Sequence, residues 1–230
     1  MLQLPKVIGH RGAAAYAPEN TLDSLREAKR RGAPWVEIDV KLTSDGVPIL
    51  MHDPSLERTT GVDRLVAQTT RAELPASVPT FEAAIACLTE QGLGCNVEIK
   101  PCDGREVETA EVTVATLRRC WPSSLPPPLL SSFKDVSLAA AQAAAPEFDR
   151  AILINELGDD WLNRARAVGA AGVNTNGLRL SIARATEVRR AGYALSVYTI
   201  NDARHARLLV EMGADCVITD APDIILSALA

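Results

Sequence analysis

Short apolar runs alternate with amphipathic segments along the whole chain, and this alternation constrains the fold more than any other feature. The runs have the length of buried strands, and the segments between them repeat apolar residues at helical spacing. Strands are predicted at residues 6–9, 35–40, 95–99, 129–131, 151–154, 172–174, 194–199 and 216–219. The helices between them include 21–31, 80–91, 106–120, 136–145, 182–191 and 202–212. Eight strand–helix units with short connections predict an α/β fold, the (β/α)8 or TIM barrel.

An open, doubly wound sheet is the alternative arrangement of the same elements. Such a sheet normally carries a glycine-rich phosphate loop, GxGxxG, after its first strand. That loop is absent here, because the first strand runs into His10-Arg11-Gly12. We therefore predict that residues 1–230 form one barrel domain.

One segment after the second strand interrupts the alternation of strands and helices. Residues 43–46 read TSDG and precede a second apolar run at 47–51, and Asp-Gly between two such runs is typical of a β-hairpin. If Asp45-Gly46 alone forms the turn, residue 52 lies opposite residue 39; if 43–46 form the loop, residue 52 lies opposite residue 37. We predict that residues 43–79 are an insertion at the barrel mouth.

Composition excludes several classes of protein. The formal net charge is −5, so the chain lacks the basic surface of a nucleic-acid binder. The five cysteines are scattered and none forms a CxxC pair, which favours reduced thiols over disulfides or zinc. No apolar run has the length of a membrane span, and the first strand begins too early to leave room for a signal peptide. We expect a soluble, cytoplasmic protein with no stable membrane insertion.

Charged side chains recur on the inward face of two predicted strands. Glu37 and Asp39 are two residues apart, as are Glu98 and Lys100, so each pair shares one face of its strand. Buried carboxylates are costly unless a cation compensates them. Three of them near strand ends suggest an oxygen-ligand site for Mg²⁺ or Ca²⁺. The alternative is a buried salt-bridge network in which Arg11 and Lys100 neutralise the acids.

Two of the three histidines converge on this cluster. The hairpin returns His52 to the carboxylates in either register, and His10 follows the first strand. The third, His205, lies on a predicted surface helix and is expected to have no catalytic role. Two imidazoles can serve as base and acid, and cations stabilise a phosphate, so the set suits phosphoryl transfer. Nucleotide-driven transfer is not expected, because the chain carries no Walker loop or kinase signature.

Six segments that span nearly the whole chain form a series of motifs: HRGAAAYAPENT, VEIDVKLTSDGVPILMHDPSLERTTG, NVEIKP, LLSSF, YTIND and CVITDAPD. In content and order this series resembles that of the glycerophosphodiester phosphodiesterases, most closely their cytoplasmic bacterial branch. The resemblance implies a TIM barrel with an insertion after strand two, here shorter than is usual. It also implies hydrolysis of glycerophosphodiesters, such as glycerophosphocholine or glycerophosphoethanolamine, to sn-glycerol 3-phosphate and an alcohol.

The resemblance also implies a role for each site residue. His10 and His52 correspond to the general acid and base. The metal ligands would be Glu37, Asp39 and Glu98, holding Mg²⁺ or Ca²⁺, and the phosphate contacts would be Arg11 and Lys100. Phe133 and Tyr198 correspond to residues that line the substrate pocket, although many members of the family carry tryptophan where Tyr198 stands.

Four neighbouring polar residues have simpler interpretations. Asn20 is expected to cap the helix that begins at Thr21. Glu19 is expected to bond to loop amides, and Asp220 to cap the last helix. Asp53 either orients His52 or caps a turn.

Alternatives to hydrolysis remain open at the level of sequence. One is a non-catalytic barrel that binds an anionic ligand, and another is a metal-dependent aldolase or isomerase barrel. For the hydrolase, two routes are consistent with the residues. Either the glycerol 2-hydroxyl of the substrate attacks phosphorus and a cyclic phosphate forms, or a histidine-activated water attacks directly.

Overall fold

Eight parallel strands close into a ring in the computed structural model, which describes residues 2–230. The nine strands are β1 (Val7–Gly9), β2 (Trp35–Leu42), β3 (Pro48–Leu50), β4 (Gly94–Ile99), β5 (Leu129–Ser132), β6 (Arg150–Ile154), β7 (Gly172–Asn176), β8 (Ala194–Tyr198) and β9 (Cys216–Thr219). All but β3 belong to the ring, and it closes because β1 pairs with both β9 and β2. The predicted TIM barrel is confirmed, and each of the eight predicted strands is present.

Helices follow the ring strands and cover the outside of the barrel. They are α1 (Leu22–Arg30), α2 (Glu57–Thr60), α3 (Phe81–Gln91), α4 (Glu106–Cys120), α5 (Asp135–Ala144), α6 (Trp161–Ala167), α7 (Ile182–Arg190), α8 (Ala203–Glu211) and α9 (Pro222–Leu229). Each of the six helices named from the sequence ends within one residue of its predicted limits. The short α2 belongs to the region after the hairpin, for which no helix was predicted.

Side-chain caps define where several of these helices begin. Thr21 Oγ1 accepts a hydrogen bond from the Ser24 amide, and Ser24 Oγ accepts one from the Thr21 amide, which forms a capping box. Thr80, Ser181 and Asp202 each accept a bond from an amide of the first turn of α3, α7 and α8. These contacts satisfy N–H groups that have no partner inside the helix.

Strand alternation divides apolar from polar side chains in β2. Val36, Ile38 and Val40 are fully buried among the side chains of α1 and α3, in the largest of the apolar clusters. Glu37 and Asp39 lie on the opposite face, toward the barrel axis. The alternation thus pins the register of β2, because a shift of one residue would turn the carboxylates into the apolar layer.

The β2–β3 hairpin has a register that differs from both predicted ones. Val40 pairs with Leu50 and Leu42 with Pro48, which leaves residues 44–46 as a three-residue loop. Gly46 adopts a left-handed conformation with φ of 80°, and its amide donates to the carbonyl of Thr43. A loop of this length with glycine at the left-handed position is a common hairpin connection. Both predicted pairings of residue 52 are therefore wrong by one position.

Residues 51–80 pack beside the hairpin around a small apolar cluster, which also includes one residue of β3 and one that follows β4. Its buried members are Ile49, Met51, Leu56, Val66, Leu74, Val78 and Cys102. The segment contains α2 and two short 3-10 helices, Val66–Gln68 and Arg71–Glu73. Backbone bonds from Leu50 to Pro79 and from Ser44 to Thr69 fix it to the hairpin. His52 follows β3 directly and is thereby held at the mouth of the barrel.

Bilayer-spanning segments are not found in residues 2–230, where each helix is either too short or insufficiently apolar to cross a membrane.

The apolar layer behind the carboxylates gives a direct test of stability. Ile38→Ala should lower the free energy of unfolding by about 2–5 kcal/mol, because the fully buried side chain leaves a cavity between β2 and its helices. Val136→Ala is the matched control, since Val136 is 57% exposed and its truncation should change stability by less than about 0.5 kcal/mol. Urea unfolding measures both, and equal effects of the two substitutions would contradict this account of the core.

Candidate active site

The nine residues predicted from the sequence meet at the carboxyl ends of the strands. Eight of them line a single cavity of about 190 Å³: His10, Arg11, Glu37, His52, Glu98, Lys100, Phe133 and Tyr198. The ninth, Asp39, lies beneath it and contacts Arg11 and Lys100. The carboxyl ends of barrel strands are where such folds carry their active sites.

Three carboxylates form the acidic triad Glu37, Asp39 and Glu98. One oxygen of each lies within 4.8 Å of the others, and their residues are 4%, 1% and 8% exposed. The grouping follows from pairing, because Asp39 lies opposite Glu98 in the register of β2 and β4. Three buried acids at this separation repel one another, so the arrangement needs compensating positive charge.

Burial and mutual repulsion give the three carboxyl groups of the triad different pKa values. Burial and the negative charge of neighbouring Asp39 raise the pKa of Glu98 to about 7. Burial and the other two acids raise the pKa of Glu37 well above its ordinary range. Burial also acts on Asp39, but Lys100 and Arg11 outweigh it and lower the pKa of Asp39. Asp39 is therefore the carboxylate that the two protein cations neutralise.

Lys100 and Arg11 supply part of the positive charge. Lys100 Nζ lies 2.7 Å from Glu98 Oε1 and 3.3 Å from Asp39 Oδ1. Arg11 Nε lies 3.2 Å from Asp39 Oδ2, and its backbone amide donates to Glu37 Oε2. Three carboxylates thus face two cations, and the cluster keeps a net negative charge when all are ionised.

A tight turn after β1 positions Arg11. Arg11 and Gly12 both have positive φ, 50° and 91°, and a Cβ on Gly12 would lie 2.5 Å from backbone and side-chain atoms of Ser24. Only glycine tolerates both the conformation and the contact. The turn directs the amide of Arg11 toward Glu37 and its side chain toward Asp39.

Asn20 is not a helix cap, and the prediction of that role was wrong. The cap is Thr21, while Asn20 has φ of 55° and is buried. Its Nδ2 donates to Asp39 Oδ2, and its Oδ1 accepts from the Asp39 amide. Asparagine tolerates the left-handed conformation better than most residues. Asn20 therefore orients a carboxylate of the triad.

His10 is held by a residue from the far end of the chain. Its Nδ1 lies 2.7 Å from Asp220 Oδ1, and Asn201 Nδ2 donates to the other oxygen of Asp220. Asp220 does not cap α9, whose capping position is Ala221, so that prediction was also wrong. The alternation of β9 gave a signal for this role, because Ile218 and Asp220 share the inward face. His10 Nε2 is left 3.9 Å from Glu37 Oε2.

His52 has a corresponding partner in its own loop. Its Nδ1 lies 2.6 Å from Asp53 Oδ1, so the second interpretation of Asp53, as a cap, is wrong. Burial lowers the pKa of His52. Each imidazole therefore bonds to a carboxylate through Nδ1, which leaves Nε2 as the atom that can exchange a proton.

Glu19 and Arg58 connect these groups across the mouth. Glu19 Oε1 accepts from Arg11 Nη1 at 2.7 Å, and both of its oxygens accept from Arg58. Arg58 Nε donates to Asp53 Oδ2. Glu19 was expected to bond to loop amides; the structure shows it between two guanidinium groups. Burial would raise the pKa of Glu19, but Arg58 and Arg11 outweigh it and lower that pKa.

Aromatic and polar residues form the wall and floor of the cavity. Phe133 and Tyr198 meet edge to face with ring centroids 6.1 Å apart, and the Tyr198 hydroxyl donates to the carbonyl of Ile154. Asn96 and Ser131 lie at the floor, and within residues 2–230 Asn96 Oδ1 and Ser131 Oγ have no hydrogen-bond partner. Both groups can bond to hydroxyls of a small polar ligand.

The donor set of the triad fits a hard divalent cation. The three ligands are carboxylate oxygens, the type that Mg²⁺ and Ca²⁺ prefer. Asp39 Oδ1 is buried without a hydrogen bond, although Lys100 lies within ion-pair distance of it. Asn20 fixes the other oxygen of Asp39, in the way that outer contacts orient metal ligands.

The sequence and the structure both resemble those of known phosphodiesterases. The model of the glycerophosphoryl diester phosphodiesterase family matches residues 10–224. A phosphodiesterase from Oleispira antarctica, solved in complex with the product sn-glycerol-3-phosphate, is 38% identical, with a TM-score of 0.95 and coverage of 98% of this chain and 97% of its own. A putative glycerophosphodiester phosphodiesterase of Bacillus subtilis is 28% identical over 238 residues, which cover 96% of each protein.

More distant structures share the fold. The glycerophosphodiester phosphodiesterase of Thermotoga maritima is 23% identical, with a TM-score of 0.80 and coverage of 99% of both chains. At that identity the likeness shows the barrel alone.

The raised pKa of Glu98 predicts how stability depends on pH without added metal. Its folded pKa of about 7 exceeds its ordinary 4.5, so the folded state binds the proton more tightly and the contribution of Glu98 to stability falls as pH rises between these values. In EDTA, Glu98→Gln should therefore gain stability relative to the unmodified protein from pH 5 to pH 8. Thermal unfolding at several pH values measures the difference.

The control compares the unmodified protein and Glu98→Gln after addition of metal. Saturating Mg²⁺ or Ca²⁺ should raise the melting temperature of the unmodified protein more than that of Glu98→Gln, which lacks one carboxylate of the triad. The electrostatic account of the triad would be contradicted if the stability difference between the two proteins did not change with pH and metal stabilised both equally.

Proposed function

The chain belongs to the glycerophosphoryl diester phosphodiesterase family, and we propose that it hydrolyses glycerophosphodiesters to sn-glycerol 3-phosphate and an alcohol through His10 and His52. The proposed substrates are small diesters such as glycerophosphocholine and glycerophosphoethanolamine. The cavity of about 190 Å³ suits a small molecule, and sn-glycerol-3-phosphate is the product bound in the related structure from Oleispira antarctica.

The observation that carries this proposal is the pair of imidazoles beside the acidic triad. Each is held at Nδ1 by a carboxylate, Asp220 for His10 and Asp53 for His52, and both line the same cavity. Cleavage of a phosphodiester requires one proton to leave the attacking hydroxyl and one to reach the departing alkoxide. Two imidazoles with free Nε2 atoms supply an acceptor and a donor for these transfers.

The charges of the site support binding of an anionic diester. We propose that Glu37, Asp39 and Glu98 hold Mg²⁺ or Ca²⁺. A divalent cation there would stabilise negative charge that develops on the phosphate oxygens. Lys100 and Arg11, which line the cavity, would contact those oxygens from the protein side. With the cation bound, the acidic cluster no longer repels an anion.

Two routes to products fit the same residues. In the first, a histidine Nε2 accepts the proton of the glycerol 2-hydroxyl, the hydroxyl oxygen attacks phosphorus, and the other histidine protonates the departing alcohol. Water then opens the cyclic phosphate. In the second, a histidine Nε2 accepts the proton of a water molecule instead. The water oxygen attacks phosphorus directly, and the other histidine again protonates the departing alcohol. Trapping of a cyclic glycerophosphate during turnover would identify the first route.

The activity is tested by release of glycerol 3-phosphate from glycerophosphocholine. Product should appear with Mg²⁺ or Ca²⁺ and be lost with EDTA. Absence of product from glycerophosphocholine and glycerophosphoethanolamine with either metal would favour an anion-binding barrel or a different reaction on this fold.

The histidine variants test the acid–base assignment. His10→Asn and His52→Asn should each lower kcat by about 10²–10⁴-fold, the usual contribution of a general acid or base. The control is His205→Asn, which removes the third histidine, from α8, and should leave kcat unchanged. Far-ultraviolet circular dichroism should show the same fold in all three. A kcat close to that of the unmodified enzyme in either active-site variant would refute the assignment.

Tyr198 provides a test of the pocket wall. Tyr198→Ala removes a ring that lines the cavity and should raise KM by about 3- to 10-fold through the lost apolar contact with the substrate. Tyr198→Phe keeps the ring and should have a KM close to that of the unmodified enzyme. Steady-state kinetics separate the outcomes, and an unchanged KM in Tyr198→Ala would exclude Tyr198 from substrate binding.

A further inference from the structure

Arg58 contacts partners of two active-site residues without lining the cavity itself. It lies on α2, a helix of four residues in the segment that follows the hairpin, and its side chain is 50% exposed. It contacts two carboxylates, Asp53 and Glu19, and neither belongs to the acidic triad. We name the set Arg58, Asp53 and Glu19 the Arg58 bridge.

One arm of the Arg58 bridge leads to His52. Arg58 Nε donates to Asp53 Oδ2, while Asp53 Oδ1 is bonded to His52 Nδ1. Both oxygens of Asp53 are therefore engaged, and the carboxylate cannot rotate away from the imidazole without breaking the bond to Arg58. The hydrogen bond from Arg58 lowers the pKa of Asp53 to about 2, so this partner of His52 stays ionised.

The other arm leads to Arg11. Arg58 Nη1 and Nη2 donate to the two oxygens of Glu19 at 2.8 and 2.6 Å, in the bidentate geometry that guanidinium groups favour. Glu19 Oε1 also accepts from Arg11 Nη1. Glu19 thus restrains the guanidinium that we place against the phosphate.

The two arms join parts of the chain that are otherwise separate. Glu19 belongs to the loop between β1 and α1, whereas Arg58 and Asp53 belong to the segment after β3. The same side chain therefore fixes the insertion to the barrel mouth and sets the partners of two residues that line the cavity. An exposed ion pair of this kind contributes little to stability.

We propose that Arg58 is a positioning residue, which couples docking of the insertion to the orientation of His52 and Arg11 in the cavity. This inference rests on the proposed function, because it assigns Arg58 to the reaction of that site. Lysine cannot replace it fully, since an ammonium group is a point charge and cannot bond to Asp53 and both oxygens of Glu19 in one plane.

A matched ion pair separates positioning from simple stabilisation. Arg118 has the same 50% exposure and bonds to both oxygens of Glu147, far from the cavity. If Arg58 served stability alone, Arg58→Gln and Arg118→Gln would have similar effects on melting temperature and on kinetics. Positioning predicts similar melting temperatures and a loss of kcat in Arg58→Gln alone.

The kinetic experiment uses full-length protein with saturating Mg²⁺ and glycerophosphocholine. Arg58→Gln should lower kcat by about 10- to 100-fold, the usual effect of removing an outer partner of a site residue. Arg58→Lys should fall between Arg58→Gln and the unmodified enzyme, and Arg118→Gln should match the unmodified enzyme. In the double variant Arg58→Gln/Asp53→Asn, the loss should be smaller than the product of the two single losses, because both act through His52.

A second measurement does not depend on turnover. Long-range ¹H–¹⁵N spectra of the metal-loaded protein report the tautomer of each histidine, and the three signals can be assigned with the histidine variants. The unmodified protein should show His52 protonated at Nδ1, and Arg58→Gln should shift this signal toward a mixture of tautomers while His205 is unchanged.

These readouts distinguish the two proposals. An unmodified enzyme that releases no glycerol 3-phosphate overturns the proposed function, and the His52 signal then still decides whether Arg58 orients that imidazole. A kcat of Arg58→Gln equal to that of Arg118→Gln, with an unchanged His52 signal, overturns the role of Arg58. The same holds if Arg58→Gln and Arg118→Gln lose melting temperature and kcat to the same extent.

Discussion

Three carboxylates buried on two adjacent strands are the constraint on which the rest of the site depends. Glu37, Asp39 and Glu98 are brought within a few ångströms of one another by strand pairing alone, and burial makes their mutual repulsion severe. Lys100 and Arg11 neutralise part of the charge, and the oxygen-rich remainder suits a divalent cation. The sharp turn after β1 follows from the same need, because it brings the Arg11 guanidinium and amide to the acids.

The histidines are organised by the same principle of paired charges. Each imidazole bonds through Nδ1 to a carboxylate, and each of those carboxylates is fixed through its second oxygen, Asp220 by Asn201 and Asp53 by Arg58. The two arrangements differ in origin. Asp220 directly follows β9, a strand of the ring, whereas Asp53 belongs to the segment after the hairpin. The barrel thus supplies one imidazole in a fixed frame, and the insertion must dock to supply the other.

Much of this could be predicted from the sequence, and the failures have physical reasons. Period-two alternation in β2 placed the carboxylates on the inward face, because strand geometry fixes that face locally. The hairpin register was missed because it depends on the left-handed conformation of Gly46, which selects a three-residue loop. Asn20 was misread because Thr21, beside it, satisfies the helix terminus equally well. Alternation in β9 indicated that Asp220 faces inward, but its bond to His10 joins the two ends of the chain and follows from closure of the ring. The contacts of Glu19 with Arg58 join segments 39 residues apart, and no local pattern reports them.

Closure of the ring determines the order in which parts of the site can form during synthesis. The ligands of the proposed metal site all lie in the first half of the chain, and the partner of His10 lies 210 residues beyond it. A ribosome adds Asp220 only after all nine strands have been synthesised, and β1 must wait for β9 before its second edge is paired. The nascent chain can therefore gather its acidic residues early, while His10 gains its carboxylate only at completion of the barrel. With His10 in its proposed role, catalytic competence is a late event of biosynthesis.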